Sequence, residues 1–377
     1  MRIERITTRP LFLPYAQTFH WAHGVIEGAE IVLVEIETDS GIVGYGESIG
    51  GPSGHAIKRL MDLAARLMIG RDPFAHRTLW HEAYTALFRA QGTCSAPRFG
   101  AQILAGLEMA LWDVMGKATG RAACTLLGGA RHEKVGYHGF AMGDSTEELA
   151  ADAAELVHQG FPILYFKAGF GAEQDIANVA AVRDVAGPDA HLRIDPNEAW
   201  SVLETRRMMD LLAPYRLEFI EQPTDAESLS ALQQVRQHST VGIAADQLVF
   251  SPQDAEAVCA VQAADLIVIG PHETGGLARL ADVARIAQRH GLNICLHGLY
   301  ESGITTCAAH QVGVSCPNLD DGNQHMIKFL EFDLLSSPDI QPQAGFLPRL
   351  EGPGLGFELD RDAVREAERI FVSRNPD

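Results

Sequence analysis

Residues capable of acid, base or metal-ligand chemistry recur along this chain at nearly constant intervals. They follow short apolar segments and are separated by 25 to 28 residues. The set comprises Lys167, Asp195, Glu221, Asp246, the stretch 270–273 and His297. One strand and one helix of a (β/α)₈ barrel take about 30 residues, because eight such units fill roughly 250 residues. The spacing therefore predicts that these side chains lie together at one rim of a closed parallel sheet.

The first part of the chain has a different pattern. Residues 3–11 and 31–37 alternate as strands do, and Asp39-Ser40-Gly41 is a turn signal. Apolar residues recur at helical spacing over 100–113. Strands followed by helices predict an α+β domain over residues 1–128. Alternating strands and helices then predict a barrel domain over 129–345, and the segment 346–377 is expected to return to the first domain.

The charge and composition of the chain argue against nucleic acids and membranes as partners. The 377 residues include 49 acidic and 30 basic side chains, for a net charge of −19. Nucleic acids and anionic membrane surfaces favour clustered Lys and Arg, so we expect neither as a partner. No apolar run approaches the roughly 20 residues of a membrane span, and the N-terminus lacks the apolar region of a signal peptide. The six cysteines form no CxxC pair, which indicates reduced thiols and a cytoplasmic location.

Three of the periodic residues, Asp195, Glu221 and Asp246, are carboxylates. At the ends of successive parallel strands they would converge, and like charges so close repel each other unless a cation lies among them. Mg²⁺, which prefers oxygen ligands, is therefore the predicted cofactor. Each carboxylate alone could instead cap a helix or pair with an arginine. The neighbouring Gln247 and Glu198 leave a shifted ligand set open.

Lys167 and His297 are the candidate catalytic residues. Lys167 follows an apolar strand, and a nearby cation with partial desolvation would favour its neutral, basic form. It could alternatively serve only as an ion-pair partner for a carboxylate. His297 ends a strand farther along the chain, and imidazole suits proton transfer near neutral pH, although a single histidine at a strand end can also be structural.

Several motifs resemble those of the enolase superfamily, and within it the mandelate racemase and muconate lactonizing branches. The resemblance covers nearly the whole chain. The motifs are Gly44-Tyr45-Gly46-Glu47, Ala105-Gly106-Leu107-Glu108, Lys167-Ala168-Gly169, Asp195-Pro196-Asn197, Glu221-Gln222-Pro223, Ala245-Asp246-Gln247 and Gly275-Gly276-Leu277.

The resemblance implies an α/β fold in which an α+β capping domain, made of the N-terminal region and the C-terminal tail, covers a (β/α)₇β modified TIM barrel. It implies a Mg²⁺ ion held by Asp195, Glu221 and Asp246. The implied reaction is abstraction of the proton α to a carboxylate, through an enediolate, on a small-molecule substrate. It also implies a homo-oligomer.

This chain departs from the family pattern at two barrel strands. The second strand normally carries Lys-x-Lys, and here Tyr165 replaces the first lysine while Lys167 remains. The sixth strand normally ends in an Asp or a Lys, and here Gly270 stands at that position. His297 is therefore expected to have lost its usual orienting carboxylate, and His272 and Glu273 are the candidate substitutes.

The resemblance also predicts the third metal ligand and the residues that contact the substrate. Asp246 fits the lactonizing pattern, and neutral Gln247 occupies the position that the racemase pattern would use. Glu301 resembles an acidic residue that contacts substrate, although a carboxylate there could equally stabilise a helix N-terminus. The segments 18–23 and 49–54 are expected to close over the barrel mouth. The predicted supporting or substrate-binding residues are Tyr165, Asn197, Glu301, His20 and His272.

The expected activity is isomerisation, as a racemase, an epimerase or a cycloisomerase. Lys167 and His297 on two sides of a substrate suit transfer of a proton between faces or ring closure. The alternative is a lyase that dehydrates an acid sugar, with His297 or Tyr165 as the acid for the departing hydroxyl. A ligand-binding barrel without catalysis is the third possibility.

Overall fold

The computed structural model describes residues 1–92 and 97–375. The chain begins with an antiparallel sheet of three strands, as the alternation predicts. The strands are β1 (Ile3–Trp21), β2 (Gly24–Thr38) and β3 (Val43–Ile49). The helices that follow are α1 (Gly54–Met68), α2 (His76–Tyr84), α3 (Pro97–Thr119) and α4 (Ala123–Leu126). Helix α3 packs closely on β3, because a Cβ atom at Gly46 would lie 2.1 Å from the carbonyl oxygen of Gly106.

The second part of the chain is the predicted parallel sheet. A short strand, β4 (Lys134–Gly136), precedes seven parallel strands that pair in chain order. They are β5 (Gly139–Phe140), β6 (Ile163–Lys167), β7 (His191–Asp195), β8 (Phe219–Glu221), β9 (Gly242–Ala245), β10 (Leu266–Ile269) and β11 (Asn293–Leu296). The helices between and after them are α5 (Thr146–His158), α6 (Ala172–Ala186), α7 (Val202–Leu212), α8 (Leu229–Arg236), α9 (Pro252–Ala260), α10 (Pro271–Thr274), α11 (Leu277–Arg289) and α12 (Gly303–Ser315).

An extended segment over residues 318–324 closes the barrel between β11 and β5. Parallel bridges join Ile294 to Leu319 on one side and Tyr137 to Asn323 on the other. Seven strand-helix units and this last strand-like segment give the (β/α)₇β arrangement. The rim that carries the carboxyl ends of the strands is where ligands bind in barrels of this kind.

The C-terminal tail returns to the first sheet. Strand β12 (Leu335–Ser337) pairs with β14 (Glu358–Leu359), and β13 (Phe346–Pro348) pairs with β4. The last helix, α13 (Arg361–Arg374), lies against β1. Arg361 donates to Glu35 at 2.6 Å and Arg374 donates to Glu27 at 2.7 Å, which ties both ends of α13 to β2.

The cysteines of the described residues are free thiols. Five cysteines are buried and unpaired, and Cys94 lies outside the described residues. Within the described part of the chain, no helix combines the length and the apolar character needed to cross a membrane.

Two buried carboxylates of the N-terminal region hold helices of the barrel. Glu108 on α3 accepts a hydrogen bond of 2.7 Å from the backbone nitrogen of Leu277, at the start of α11. Glu47 on β3 accepts bonds of 3.0 Å from the backbone nitrogens of Ser302 and Thr305, at the start of α12. The first N–H groups of a helix lack partners within the helix and carry partial positive charge, so carboxylates are favourable there. The first domain is thereby fixed to the helices that follow β10 and β11.

The stability of the protein is expected to depend on the protonation of Glu47. Burial outweighs the hydrogen bonds from Thr305 and Ser302 and raises the pKa of Glu47 from 4.5 to about 7. The folded protein then binds this proton more tightly than the unfolded chain, so the contribution to stability is complete below pH 4.5 and is lost as the pH rises through 7. Between pH 5 and 8, the free energy of unfolding of the wild type should fall by about 2–3 kcal/mol relative to Glu47→Gln.

Denaturant unfolding of both proteins across this pH range measures the difference. Glu4→Gln, which removes an exposed carboxylate from the same sheet, is the control and should follow the wild type. Parallel pH profiles for the wild type and Glu47→Gln would contradict the raised pKa.

Candidate active site

A cavity of about 320 Å³ lies at the carboxyl-terminal rim of the barrel strands, beneath residues of the first domain. Barrel side chains form its floor, and β1, β3 and α3 contribute the side that faces them. The barrel contributes Lys167, Asn197, Glu198, Asp246, Gln247, Phe250, Glu273, His297, Tyr300, Gln324 and Met326, and the first domain contributes Phe19, Trp21, Ile49, Gly51 and Gln102.

The carboxylates of Asp195, Glu221 and Asp246 are at most 2% exposed. Burial and the charges of Asp195 and Asp246 raise the pKa of Glu221 well above its ordinary value. Burial and the charges of Asp195 and Glu273, opposed by His297, raise the pKa of Asp246 to about 7. Asp246 Oδ2 is buried without a hydrogen-bond partner. A divalent cation would supply the missing partner and offset the repulsion, so the donor set fits a metal site.

The structure groups the possible metal ligands differently from the sequence prediction. Ligand atoms of Glu221, Asp246 and His297 lie within 4.8 Å of one another. Asp195, the third predicted carboxylate, is held on the other side by Lys167, whose Nζ lies 2.6 Å from Asp195 Oδ2. The backbone nitrogen of Asn197 donates to Asp195 Oδ1 at 2.7 Å. The assignment of Asp195 as a metal ligand therefore stays a prediction.

Tyr165 takes the place of the missing lysine without taking its charge. Its hydroxyl lies 2.6 Å from Asp195 Oδ2 and 3.1 Å from Glu221 Oε1, and Lys167 Nζ donates to the phenol oxygen at 3.2 Å. Burial and the charge of Asp195 raise the pKa of Tyr165 well above 10, so the phenol keeps its proton and acts as a donor. The ring of His138 stacks parallel on it at 4.4 Å. Tyr165 is therefore a buried link between two carboxylates rather than a cavity-lining group.

His297 has an orienting carboxylate: the usual one at the end of β10 is absent, because Gly270 stands there, and Glu273 takes its place. Glu273 Oε1 lies 2.8 Å from His297 Nδ1, and Asp246 Oδ1 lies 3.5 Å from it. Burial would lower the pKa of His297, but Asp246 and Glu273 together raise it to about 10. With Nδ1 bonded to Glu273, Nε2 is the nitrogen that remains for a substrate. Glu273, which the sequence offered as a substitute, thus supplies the partner.

The glycine at the end of β10 is what admits Glu273. A Cβ atom at Gly270 would lie 2.7 Å from Glu273 Oε2 and 2.6 Å from the carbonyl oxygen of His297. Pro271 begins the short helix α10, and one helical turn brings Glu273 back over the strand end. An acidic side chain at position 270 would therefore collide with Glu273, so Glu273 can lie where it does only because residue 270 is glycine.

His272 and Glu301 are not among the residues that line the cavity, and their roles in substrate binding stay predictions. Both are buried, and His272 Nε2 lies 3.4 Å from Glu301 Oε2 and 3.0 Å from Thr305 Oγ1. Burial lowers the pKa of His272 to about 4, and burial with the charge of Glu47 raises that of Glu301 well above its ordinary value. A neutral imidazole and a protonated carboxyl suit a closed interior better than a substrate contact.

His20 and Asn197, both predicted to support substrate binding, differ in their placement. His20 Nε2 pairs with Asp144 Oδ1 at 3.2 Å, and the histidine side chain is 42% exposed. Its neighbours Phe19 and Trp21 line the cavity, and successive residues of a strand point to opposite faces, so His20 lies on the other face of β1 and its supporting role stays a prediction. Asn197 lines the cavity, with its backbone oxygen 2.7 Å from the ring of His23.

Sequence reasoning missed most of the apolar wall. Phe250, Tyr300 and Met326 line the cavity from loops after β9, β11 and the closing segment. The guanidinium of Arg98 covers the ring of Phe250 at 4.3 Å. Their position after successive barrel strands was a usable signal, because the loops after the strands form the ligand site in a barrel.

Comparisons with known proteins agree with this architecture. A model described as the mandelate racemase / muconate lactonizing enzyme N-terminal domain matches residues 5–128. A model described as enolase C-terminal domain-like matches residues 148–363.

Individual relatives span most of the chain. D-galactarolactone cycloisomerase of Agrobacterium fabrum is 31% identical over 351 residues, which cover 89% of this chain and 90% of the relative. D-mannonate dehydratase of a Sphingomonas species is 27% identical over 92% of this chain and 94% of the relative. The crystal structure of the dipeptide epimerase from Enterococcus faecalis with Mg and L-Leu-L-Tyr has a TM-score of 0.87 and 28% identity, covering 95% of this chain and 100% of that one. The chain therefore belongs to the mandelate racemase / muconate lactonizing enzyme family of the enolase superfamily.

Proposed function

We propose that this protein is a Mg²⁺-dependent isomerase that removes the proton α to the carboxylate of a small substrate. The observation that carries the proposal is the placement of two proton-transfer groups, Lys167 and His297, in one cavity. They stand at the ends of β6 and β11, and the strands that carry the three carboxylates lie between them in the sheet. A substrate over the carboxylates could therefore meet one group on each side.

The chain's own residues have distinct parts in this proposal. Lys167 Nζ would take or return a proton on one side of the α-carbon, and His297 Nε2 would do so on the other. Glu273 keeps the imidazole in one orientation through its bond of 2.8 Å to Nδ1. Asp195, Glu221 and Asp246 would hold Mg²⁺, which when bound supplies positive charge that makes the α-proton of a carboxylate more acidic.

The relatives support the reaction type but differ in the final step. One of those described above is a cycloisomerase, one is an epimerase that was crystallised with Mg, and one is a dehydratase. Two opposed proton-transfer groups suit isomerisation directly. Dehydration requires in addition that the substrate carries a leaving hydroxyl on the carbon next to the α-carbon.

Proton NMR in D₂O with Mg²⁺ tests the proposal on pools of carboxylates. Exchange of an α-proton, or isomerisation that keeps every hydroxyl, is the expected result. A 2-keto-3-deoxy product would instead assign the protein as a dehydratase. Saturable ligand binding with no α-proton exchange for any bound carboxylate would identify a binding protein and overturn the proposal.

Removal of one metal ligand is expected to abolish the response to Mg²⁺. Asp246→Asn replaces a buried carboxylate that has an unpartnered oxygen. A ligand that binds only the folded state raises its stability by about 2.7 kcal/mol at a concentration of 100 Kd, so wild-type protein should melt at a higher temperature as Mg²⁺ is added. Asp246→Asn should lose this shift, and the exposed Asp184→Asn should keep it. An unchanged Mg²⁺ shift in Asp246→Asn would exclude Asp246 from the metal site.

A further inference from the structure

A second pocket, of about 160 Å³, lies at the seam between the first domain and the barrel. Arg77, Trp80 and His81 of α2 line one side of this seam pocket, and Arg279 of α11 lines the other. None of the described residues that line it also lines the active-site cavity. Sites for drug-sized ligands begin at roughly 300 Å³, so the seam pocket suits a small ion or the end group of a larger molecule.

Arg279 is a half-buried cation without an acidic partner. Its Nε donates to the backbone oxygen of Thr274 at 2.6 Å, and its two terminal nitrogens make no hydrogen bond or ion pair with the described residues. Two comparable arginines are compensated. Arg193 pairs with Glu218 at 2.6 Å, and Arg183 donates to four backbone oxygens. Because a charge withdrawn from water is costly without a partner, the terminal N–H groups of Arg279 are donors in need of an acceptor.

The two carboxylates among the described residues of the seam pocket are bound to other groups. Asp282 forms a two-pronged pair with Arg77, at 2.6 and 3.1 Å. Glu108 accepts from the backbone nitrogen of Leu277 at 2.7 Å. Burial lowers the pKa of Arg279, and the charge of Asp282 offsets only part of this effect. The guanidinium of Arg279 therefore leaves the pocket with positive charge that favours an anion.

Trp80 holds the guanidinium of Arg279 in place. Arg279 Cζ lies 4.4 Å from the centroid of the Trp80 ring, which stacks on the ring of Tyr84 at 4.9 Å. Gly275 lets the indole approach, because a Cβ atom at this residue would lie 3.0 Å from Trp80 Nε1. A guanidinium that covers a ring keeps its N–H groups, which lie in its own plane, for other partners.

We propose that the seam pocket binds a phosphate group, with Arg279 on the barrel side and Arg77 and His81 on the side of the first domain. A guanidinium binds phosphate through two parallel hydrogen bonds. A carboxylate has two oxygens, which one guanidinium satisfies, whereas a phosphate also offers oxygens to the opposite wall. Arg77 is 56% exposed, so the pocket is open to solvent and admits inorganic phosphate or the phosphate of an ester. The bound group would join α2 to α11, and this site does not depend on the proposed function.

Thermal unfolding in inorganic phosphate without Mg²⁺ tests the site, with chloride at equal ionic strength as the reference. The melting temperature of the wild type should rise with phosphate concentration beyond its value in chloride, because a ligand that binds the folded state stabilises it. Arg279→Met keeps an apolar stem over Trp80 and removes the guanidinium. It should weaken phosphate binding by about 10- to 100-fold, as expected for the loss of hydrogen bonds from a charged group.

Arg289→Met is the matched control, because this arginine lies on the same helix with a side chain that is 70% exposed. It should bind phosphate as the wild type does. Two results would overturn the proposal. One is a wild-type melting temperature that phosphate raises no more than chloride does, and the other is an equal phosphate shift in Arg279→Met.

Two further measurements do not require that Arg279→Met folds. His81→Ala changes an exposed side chain and should weaken phosphate binding by about two- to tenfold. Hydrogen exchange of the wild type should slow in α2 and at the start of α11 when phosphate is added, because the ligand joins these helices. Slower exchange only around Lys167 would place the phosphate in the active-site cavity and would contradict the proposal.

Calorimetric titration with three ligands identifies the source of the phosphate group. Inorganic phosphate and glycerol phosphate should both bind, and both should be weakened by Arg279→Met. Similar dissociation constants would assign the site to the free anion, and tighter binding of the ester would assign it to a phosphorylated metabolite. Acetate should bind at least about tenfold more weakly, because it offers no oxygen to the second wall. Equal affinity for acetate and phosphate would overturn the assignment to a phosphate group.

Discussion

Lys167→Ala is expected to lower kcat/KM for α-proton exchange by about 10³-fold, the middle of the range for loss of a positioned acid-base group. Among the described residues that line the cavity, Lys167 is the only lysine or arginine. Its ammonium group is held 2.6 Å from Asp195 and 3.2 Å from Tyr165, so the position of Nζ is fixed from two sides. Alanine removes the amine and leaves no other amine able to accept the proton.

Lys167→Arg distinguishes proton transfer from charge. A guanidinium keeps the positive charge beside Asp195 but does not lose its proton under working conditions. We therefore expect Lys167→Arg to be nearly as inactive as Lys167→Ala. Lys58→Ala, which breaks the 2.7 Å ion pair with Asp62 on α1, is the matched control and should retain full activity. Substantial activity in Lys167→Arg would show that Lys167 contributes only charge.

Exchange measured separately on the two enantiomers of a substrate shows which face of the α-carbon each residue serves. If Lys167 and His297 serve opposite faces, Lys167→Ala should lose exchange from one enantiomer and retain part of the exchange from the other. Equal loss from both enantiomers would place both residues in one proton-transfer step on a single face. That outcome would favour elimination or ring closure over racemisation.

The sequence was sufficient for the barrel and for the residues at its rim. Strand and helix signals recur about every 26 residues, and each predicted strand end from Lys167 to Asp246 coincides with or directly follows an observed strand. The strand ends could be predicted because each unit repeats the same local pattern, a buried strand followed by an amphipathic helix. The family resemblance added the capping domain, which the comparisons support.

The sequence was less decisive where the geometry depends on a few residues beyond a strand end. His20 was chosen by residue type, although the alternation of β1 places Phe19 and Trp21, not His20, toward the cavity. For His297, Gly270 indicated that the usual carboxylate is absent, and the sequence left His272 and Glu273 open as its substitute. One helical turn after Gly270 returns a carboxylate to the same place, and a linear pattern does not show this.

Glu273→Leu is expected to lower kcat/KM by about 10² to 10⁴-fold, because loss of the carboxylate that orients a catalytic histidine has effects of this size. Glu273 and His297 are 2% and 6% exposed, so no solvent-borne group replaces the bond of 2.8 Å between them. Glu273→Gln keeps an acceptor for the Nδ1 proton and removes the charge. It should therefore retain more activity than Glu273→Leu.

Exchange from the two enantiomers, together with a surface variant as control, shows whether Glu273→Leu affects only the orientation of His297 or destabilises the whole protein. Exchange assigned to Lys167 should persist in Glu273→Leu, while exchange assigned to His297 should be lost. Glu256→Leu breaks an exposed pair in which Glu256 Oε1 lies 3.0 Å from His290 Nε2, and it should leave both exchanges unchanged.

Formate added to Glu273→Ala tests whether the carboxylate itself is what His297 needs. The truncated side chain leaves space beside Nδ1, and Gly270 adds no side chain to fill it. A carboxylate that enters this space could accept the Nδ1 proton, so formate should restore part of the His297-dependent exchange and chloride at equal ionic strength should not. Full activity of Glu273→Leu without formate would show that His297 does not need Glu273 as its partner, and the carboxylate on α10 would then have no part in catalysis.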